Sequence, residues 1–391
     1  MIAFFVGMVV ADKFEAVLEY LSKKYWEDNV TALGASGEMA RSFDDCINLS
    51  LGDPDLTTDE LIIEQAFADA RMGHTKYTDP QGDPELIEEI CKFYQEEYGM
   101  EVPAKEVFVS TSACIGMFLA LEAILDPQAE VIIPAPYFAL YLQQIELAGG
   151  IPVELPTYEE DDFQIDMQRL ESMINERTKA IIINTPCNPT GNCLTLETMQ
   201  KLAEMAQKHD LVVIADDIYT AFSYQNPFVP IASLPGMKER TLLLHGFSKA
   251  FAMTGWRLGY ACGPRELISQ ITKIHQYAIM CAPTTSQYAA IEALRSCENE
   301  VARMREEYDD RRKIIVAGFN ELGLTCREPK GAFYAFPSIQ STGLTSEEFC
   351  ERLLYSKKVA VVPGTAFGDS GEGFIRASYC YSLLHIERAL H

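Results

Sequence analysis

The chain has 391 residues, 48% of them hydrophobic and 23% charged, a length that exceeds what one core usually fills and predicts two domains. Its 57 acidic and 32 basic residues leave a formal charge of −25, which argues against nucleic acid as a partner, because phosphate binding needs basic surface. The 11 cysteines and 6 histidines contain no C-x-x-C, H-x-x-x-H or H-E-x-x-H spacing, so neither a disulfide framework nor a metal is expected, and the chain reads as cytoplasmic with reduced thiols. An anionic substrate would need local arginines acting against the overall field.

The chain opens with the apolar stretch Met1–Val10. It lacks a basic n-region and an A-x-A site, which argues against a signal peptide. It is also far short of the ~20 apolar residues of a membrane span. The expectation is an arm that packs on a partner surface, with no membrane association.

From about residue 105 to 265, short apolar runs alternate with amphipathic stretches. The runs are Val107–Val109, Val131–Ile133, Ala180–Ile183, Leu211–Ala215, Thr241–Leu244 and Leu258–Ala261. Each is rich in Val, Ile or Leu without polar alternation, as strands buried on both faces are. The spacers are long enough for crossover helices; Leu194–His209 carries Leu, Met and Ala at helical spacing. An α/β domain with a mostly parallel sheet follows, and in such sheets ligands bind beyond the carboxyl ends of the strands. Three of those ends deliver Asn184–Gly191, Asp216–Tyr219 and His245–Lys249 to one edge. The C-terminal third differs. A charged helix over Glu300–Glu321, a second near Ser346–Ser356, and runs at Gly331–Phe336, Val359–Val362 and Gly373–Ser378 predict a smaller α+β domain.

The stretch Ser248-Lys249-Ala-Phe-Ala-Met-Thr-Gly-Trp-Arg257-Leu-Gly-Tyr260 resembles the lysine motif of fold-type I pyridoxal-phosphate enzymes of the class I/II aminotransferase family. Asn188-Pro-Thr-Gly191, Asp216-Asp-Ile-Tyr219, Pro363–Gly368 and Phe374-Ile-Arg376 resemble further elements of that family, in its order and spacing, from about Asn48 onward. The resemblance implies a large cofactor-binding domain over residues 61–295 and a small C-terminal domain over 296–391. Residues 1–60 would supply the arm and part of the small domain. It also implies a homodimer with shared active sites, acting on an α-amino acid and a 2-oxo acid.

By that resemblance Lys249 holds pyridoxal phosphate as a Schiff base and later moves the Cα proton. Lysine condenses with an aldehyde only as the free amine, which burial or a neighbouring cation favours. Asp216 meets the pyridine nitrogen and keeps it protonated, so that the ring accepts electrons from the substrate α-carbon; Asp217 is the expected helix cap beside it. Asn188 and Tyr219 donate to the ring phenolate oxygen. Ser110–Cys114 follows a strand and opens a helix over Ile115–Leu125, a setting suited to phosphate, so Ser112, Ala113 and Cys114 are candidate phosphate neighbours. The family often has glycine at Ser112 or Ala113. Ser248 and Arg257 complete the cup, Phe138 stacks on the ring, and Tyr77 crosses to the partner subunit's phosphate. Gly52 turns its backbone to the substrate, and the Arg376 fork takes the α-carboxylate.

A carbon–sulfur β-lyase of the same fold is the nearest alternative activity, and a non-catalytic regulator a remote one. The Ala-Met-Thr-Gly-Trp-Arg context resembles aspartate- and aromatic-type aminotransferases more closely. Bacterial aspartate-type relatives carry a lysine at the position of Cys114 that helps bind a side-chain carboxylate. Cysteine there points to neutral or aromatic amino acids.

Overall fold

The computed structural model describes residues 20, 22, 32–43 and 45–391; Met1–Val10, and the arm expected there, lie outside the described residues. The strands are β1 (Ile47–Asn48), β2 (Val107–Ser110), β3 (Glu130–Ala135), β4 (Ile151–Pro156), β5 (Thr178–Asn184), β6 (Val212–Asp216), β7 (Thr241–Gly246), β8 (Gly259–Cys262), β9 (Tyr334–Ala335), β10 (Val359–Ala360), β11 (Val362–Pro363) and β12 (Ile375–Ser378).

Seven of them form one sheet in the order β2-β8-β7-β6-β5-β3-β4. β8 runs antiparallel to both neighbours and the other pairings are parallel. All six predicted apolar runs are strands of this sheet. Their period of two feeds two cores. Ile181, Ile183, Val213, Ala215 and Leu243 enter one, while Ala180, Ile182, Ile214, Leu242 and Leu244 enter the other. Helices cover both faces, which is why the strands read as unbroken apolar runs. β4 was not legible as a strand: it is the edge strand, half-buried along most of its length, and carries Pro152 and Pro156.

The crossover helices follow from caps and spacing. In Leu196–Lys208 the Thr195 side chain accepts from Thr198 N, and Met199, Leu202, Ala203 and Ala206 are buried at helical spacing. The turn after β2 is capped by Ser112, whose side chain accepts from Ile115 N. The helix there spans Ala113–Ile124, two residues earlier than its apolar run indicates.

The C-terminal third builds a separate core around Tyr308, Ile315, Phe319, Phe333 and Tyr379. It holds the antiparallel sheet β11-β12-β9. The helix Glu298–Glu321 packs here, and Ser346–Lys357 begins with a Thr345/Glu348 capping box. β1 pairs in parallel with β10, so Ile47 and Asn48 join this region.

Candidate active site

The carboxyl ends of β5, β6 and β7 meet in register, with Asn184 opposite Asp216 and Asp216 opposite Leu244. Asp216 continues the alternation of Ile214, toward the core that contains Tyr141. The Tyr141 hydroxyl donates to its Oδ2 at 2.5 Å and Ile218 N donates to Oδ1 at 3.3 Å. Asn184 Nδ2 fixes the Asp216 carbonyl at 2.8 Å. Burial pushes the Asp216 carboxyl up, while Tyr141, Ile218 and the Lys249 charge oppose that rise. No cation pairs with it within ion-pair distance among the described residues, so a half-buried carboxylate stands ready for a positive partner.

Lys249 lies in the turn after β7. Its Nζ donates to the Gly52 carbonyl at 2.6 Å and lies 5.8 Å from the Phe333 ring centroid. Burial pushes its ammonium down; Arg376 and Arg257 add to this, and Cys380 and Asp53 oppose it. An amine held this way reaches its nucleophilic neutral form more readily than a solvated lysine. Gly52 is required for the approach: a Cβ there would lie 1.8 Å from the Tyr334 hydroxyl.

The helix Ala113–Ile124 presents its N-terminus to the same edge. A Cβ at Gly259 would lie 2.3 Å from Ala113 N, so glycine lets β8 pass directly under that turn. Ser110 Oγ donates to the Ser112 carbonyl at 2.8 Å and shapes the turn. Arg257 adopts φ 54° and ψ 60°, a left-handed conformation uncommon outside glycine. It donates to the Thr254 carbonyl at 2.9 Å, leaving most of its donors unused, and its charge is felt by Lys249 and Cys114. Ser248 is half-buried beside Lys249. Phe138 is also half-buried and meets Tyr141 edge-on at 5.5 Å.

Arg376, on β12, is 2% exposed. Nη1 donates to Asn188 Oδ1 at 2.8 Å and Nη2 to the Ser50 carbonyl. Nε is buried without a partner. The guanidinium lies 4.5 Å from the Tyr334 ring and 4.8 Å from Phe367. Burial pushes its pKa down, and no carboxylate pairs with it among the described residues. A desolvated guanidinium is costly unless a carboxylate completes it. Asn188 accepts from Arg376, so its amide NH2 stays free to donate. Tyr219 and Tyr334 join hydroxyls at 2.8 Å, and burial pushes the Tyr219 phenol well up, so it remains a donor.

Lys249, Asp216, Asn188, Tyr219, Gly52 and Arg376 thus gather at one edge, with the Ser112–Ala113–Cys114 turn and Arg257 beside them. Tyr77 is 82% exposed on this chain. The expected cap at Asp217 is corrected: it is 2% exposed, and the short 3-10 turn that follows is preceded by Tyr219 and has no side-chain cap. A strand that alternates sides turns successive residues to opposite faces, so Asp217 is taken inward instead. Tyr141 and Tyr334 were not singled out by the motifs. Both are tyrosines within runs otherwise readable as core, and only the fold shows that their hydroxyls meet Asp216 and Tyr219. The described residues contain no group that could hold a metal and no helix long and apolar enough to cross a membrane.

Residues 44–391 match the family described as aminotransferase class I and II. The chain belongs to the class I and II aminotransferases. This aminotransferase is 45% identical over 357 residues to an aspartate aminotransferase of Pyrococcus abyssi, covering 90% of this chain and 92% of the relative. It is 40% identical over 357 residues to aromatic-amino-acid aminotransferase 2 of Thermococcus litoralis, again covering 90% and 92%. Among solved structures it resembles an aromatic aminotransferase from Pyrococcus horikoshii (TM-score 0.87, 43% identity, 91% and 96% covered). It also resembles aspartate aminotransferase from Thermus thermophilus with maleate (TM-score 0.88, 36% identity, 93% and 95% covered). The fold-type I architecture and the aminotransferase activity read from the motifs therefore stand.

Proposed function

We propose that this aminotransferase carries pyridoxal phosphate on Lys249 and transfers the amino group of a neutral or aromatic α-amino acid to a 2-oxo acid. The carrying observation is the pairing of unfinished groups at one edge: a half-buried amine, a half-buried carboxylate without a cation, and a buried guanidinium without a carboxylate. The residues fit the cofactor. Lys249 offers an amine to its aldehyde, Asp216 an anion to its ring nitrogen, and the helix N-terminus at Ser112–Cys114, with Ser248 and Arg257, donors to its phosphate. Asn188 and Tyr219 offer hydrogen bonds to its phenolate oxygen, and Phe138 an aromatic face. When bound, the cofactor supplies an aldehyde that takes up an amine and a ring that accepts electrons from the substrate α-carbon.

The chain's own groups do the rest. The Arg376 fork, with its free Nε, binds the α-carboxylate and sets the direction of the Cα–H bond, aided by the Gly52 backbone. Lys249, whose neutral amine burial favours, would serve as the base at the substrate Cα–H. The Tyr141 hydrogen bond favours the ionised form of Asp216 against the effect of burial. The apolar walls of Tyr334 and Phe367 exclude water from the guanidinium.

Substrate choice rests on Cys114, whose thiol accepts from Gln144 Nε2 at 3.3 Å and is pushed up by burial. It brings no positive charge for a second carboxylate, and burying one unpaired would cost at least a few kcal/mol. The relatives are named for both aspartate and aromatic substrates, so measurement decides. Amino-group transfer from phenylalanine, methionine, alanine and aspartate to 2-oxoglutarate is compared by kcat/KM. Phenylalanine or methionine is expected to lead; aspartate leading by roughly tenfold would mean an unidentified cation lines the pocket. The same reading extends to a homodimer in which Tyr77 reaches the partner's phosphate, to the three-part division at residues 60 and 295, and to the cytoplasm as compartment.

A further inference from the structure

Behind the lysine turn lies a second concavity, of about 810 Å³, that is lined by none of Lys249, Asp216, Asn188 and Arg376. Its size is that of a small-molecule site. One wall is an unbroken aromatic chain. Phe228 meets Tyr98 at 5.9 Å, Tyr98 meets Phe93 at 5.7 Å, Phe93 meets His245 at 6.1 Å, and His245 stacks on Tyr260 at 5.3 Å.

The mouth has the opposite chemistry. Six carboxylates and two cations line the cleft. Glu97, Glu298 and Glu306 are exposed, and none lies within ion-pair distance of a cation among the described residues. The Ser223 hydroxyl oxygen, also in the lining, is closed to solvent and has no hydrogen-bond partner. Aromatic faces and unpaired carboxylates attract the same class of ligand, a cation with an apolar body, by quadrupole and by charge.

The floor joins this cleft to the catalytic side. Gly246 N donates to His245 Nδ1 at 2.7 Å, which leaves the ring proton on Nε2, 3.0 Å from Thr220 Oγ1. Gly246, Phe247, Ala250 and Phe251 line the cleft, and Lys249 lies on the same turn. Thr220 follows Tyr219 directly. A ligand seated here would touch the turn that carries Lys249 and the residue that follows Tyr219.

We propose that the cleft is a second binding site for a small organic cation with an apolar or aromatic body, and that its occupancy alters turnover through the His245–Lys249 segment. The probe is benzyltrimethylammonium, which has no N–H and cannot condense with an aldehyde, titrated calorimetrically into the holoenzyme. Saturable one-to-one binding is expected, with benzyl alcohol weaker by roughly tenfold or more, since it keeps the ring but loses the charge. Glu97→Gln combined with Glu306→Gln changes only exposed side chains and is expected to weaken the cation roughly tenfold. Phe228→Ala should weaken it through the aromatic wall. In steady-state assays kcat should change with half-effect at the measured Kd. Absence of binding at millimolar concentration, or affinity unmoved by all these variants, overturns the site. Unchanged kcat at saturation overturns the coupling. Binding that appears only after residues 1–19 are removed would make this chain's own N-terminal segment the occupant and likewise overturn the proposal.

Discussion

The Tyr141 hydroxyl and the Asp216 carboxylate meet at 2.5 Å. This contact joins the helix Leu140–Leu147 to the end of β6, and it supplies the hydrogen bond that burial makes necessary for an ionised acid. Tyr141→Phe removes a bond to a charged group, an effect of about 1.5–3 kcal/mol. The variant should still attach the cofactor at Lys249, while kcat falls roughly tenfold or more. Stopped-flow rates of amino-acid deprotonation check this; wild-type rates would show that Tyr141 only packs.

Asp216→Asn keeps the shape and removes the charge. Cofactor should still bind, because Lys249, Arg257 and the helix N-terminus remain, but Cα deprotonation should be crippled. A neutral amide cannot keep a ring nitrogen protonated. Deuterium exchange at Cα of a substrate amino acid measures the step directly, and exchange at the wild-type rate would assign Asp216 a structural role.

Arg376 and Arg257 should separate substrate from cofactor. Removing the partner of a desolvated carboxylate costs roughly 2–5 kcal/mol. Arg376→Ala should therefore lower kcat/KM by orders of magnitude with cofactor affinity nearly unchanged, and Arg257→Ala should do the reverse. Equal loss of cofactor in both variants contradicts the division of roles.

His245 gives a pH dependence of stability. Burial pushes its pKa down to about 4 from 6.5, so the folded chain holds it neutral where the unfolded chain protonates it. The unfolded state binds more protons between those values, and stability is therefore lost as pH falls through that window. Between pH 7 and pH 5 this residue alone should remove about 2 kcal/mol. Urea unfolding of the wild type and of His245→Gln at both pH values checks it: the variant should lose less stability on acidification, and equal losses would mean the ring is protonated in the fold.

The six buried strands, the crossover helix after Thr195 and the gathering of Asn188, Asp216, Tyr219 and Lys249 could all be read from apolar runs ending in polar clusters. Arg376 was legible only through its motif, since nothing about a lone arginine in a strand announces that it is buried. β4 escaped because an edge strand with two prolines lacks the continuous apolar signal. Tyr141 and Tyr334 escaped for a different reason. Their roles depend on hydroxyl contacts across 75 and 115 residues of chain, and an aromatic at helical or strand spacing reads first as core. The inward turn of Asp217 was hidden likewise, because a carboxylate after a strand looks like a cap until both faces of the sheet are seen to be covered.

The central claim is that Lys249 carries the cofactor, and borohydride reduction of the holoenzyme followed by tryptic peptide mapping tests it most directly. The account predicts a single stable pyridoxyl label on Lys249, and no label or turnover in a folded Lys249→Ala variant. A label on any other lysine, or a Lys249→Ala enzyme that still turns over, would contradict it.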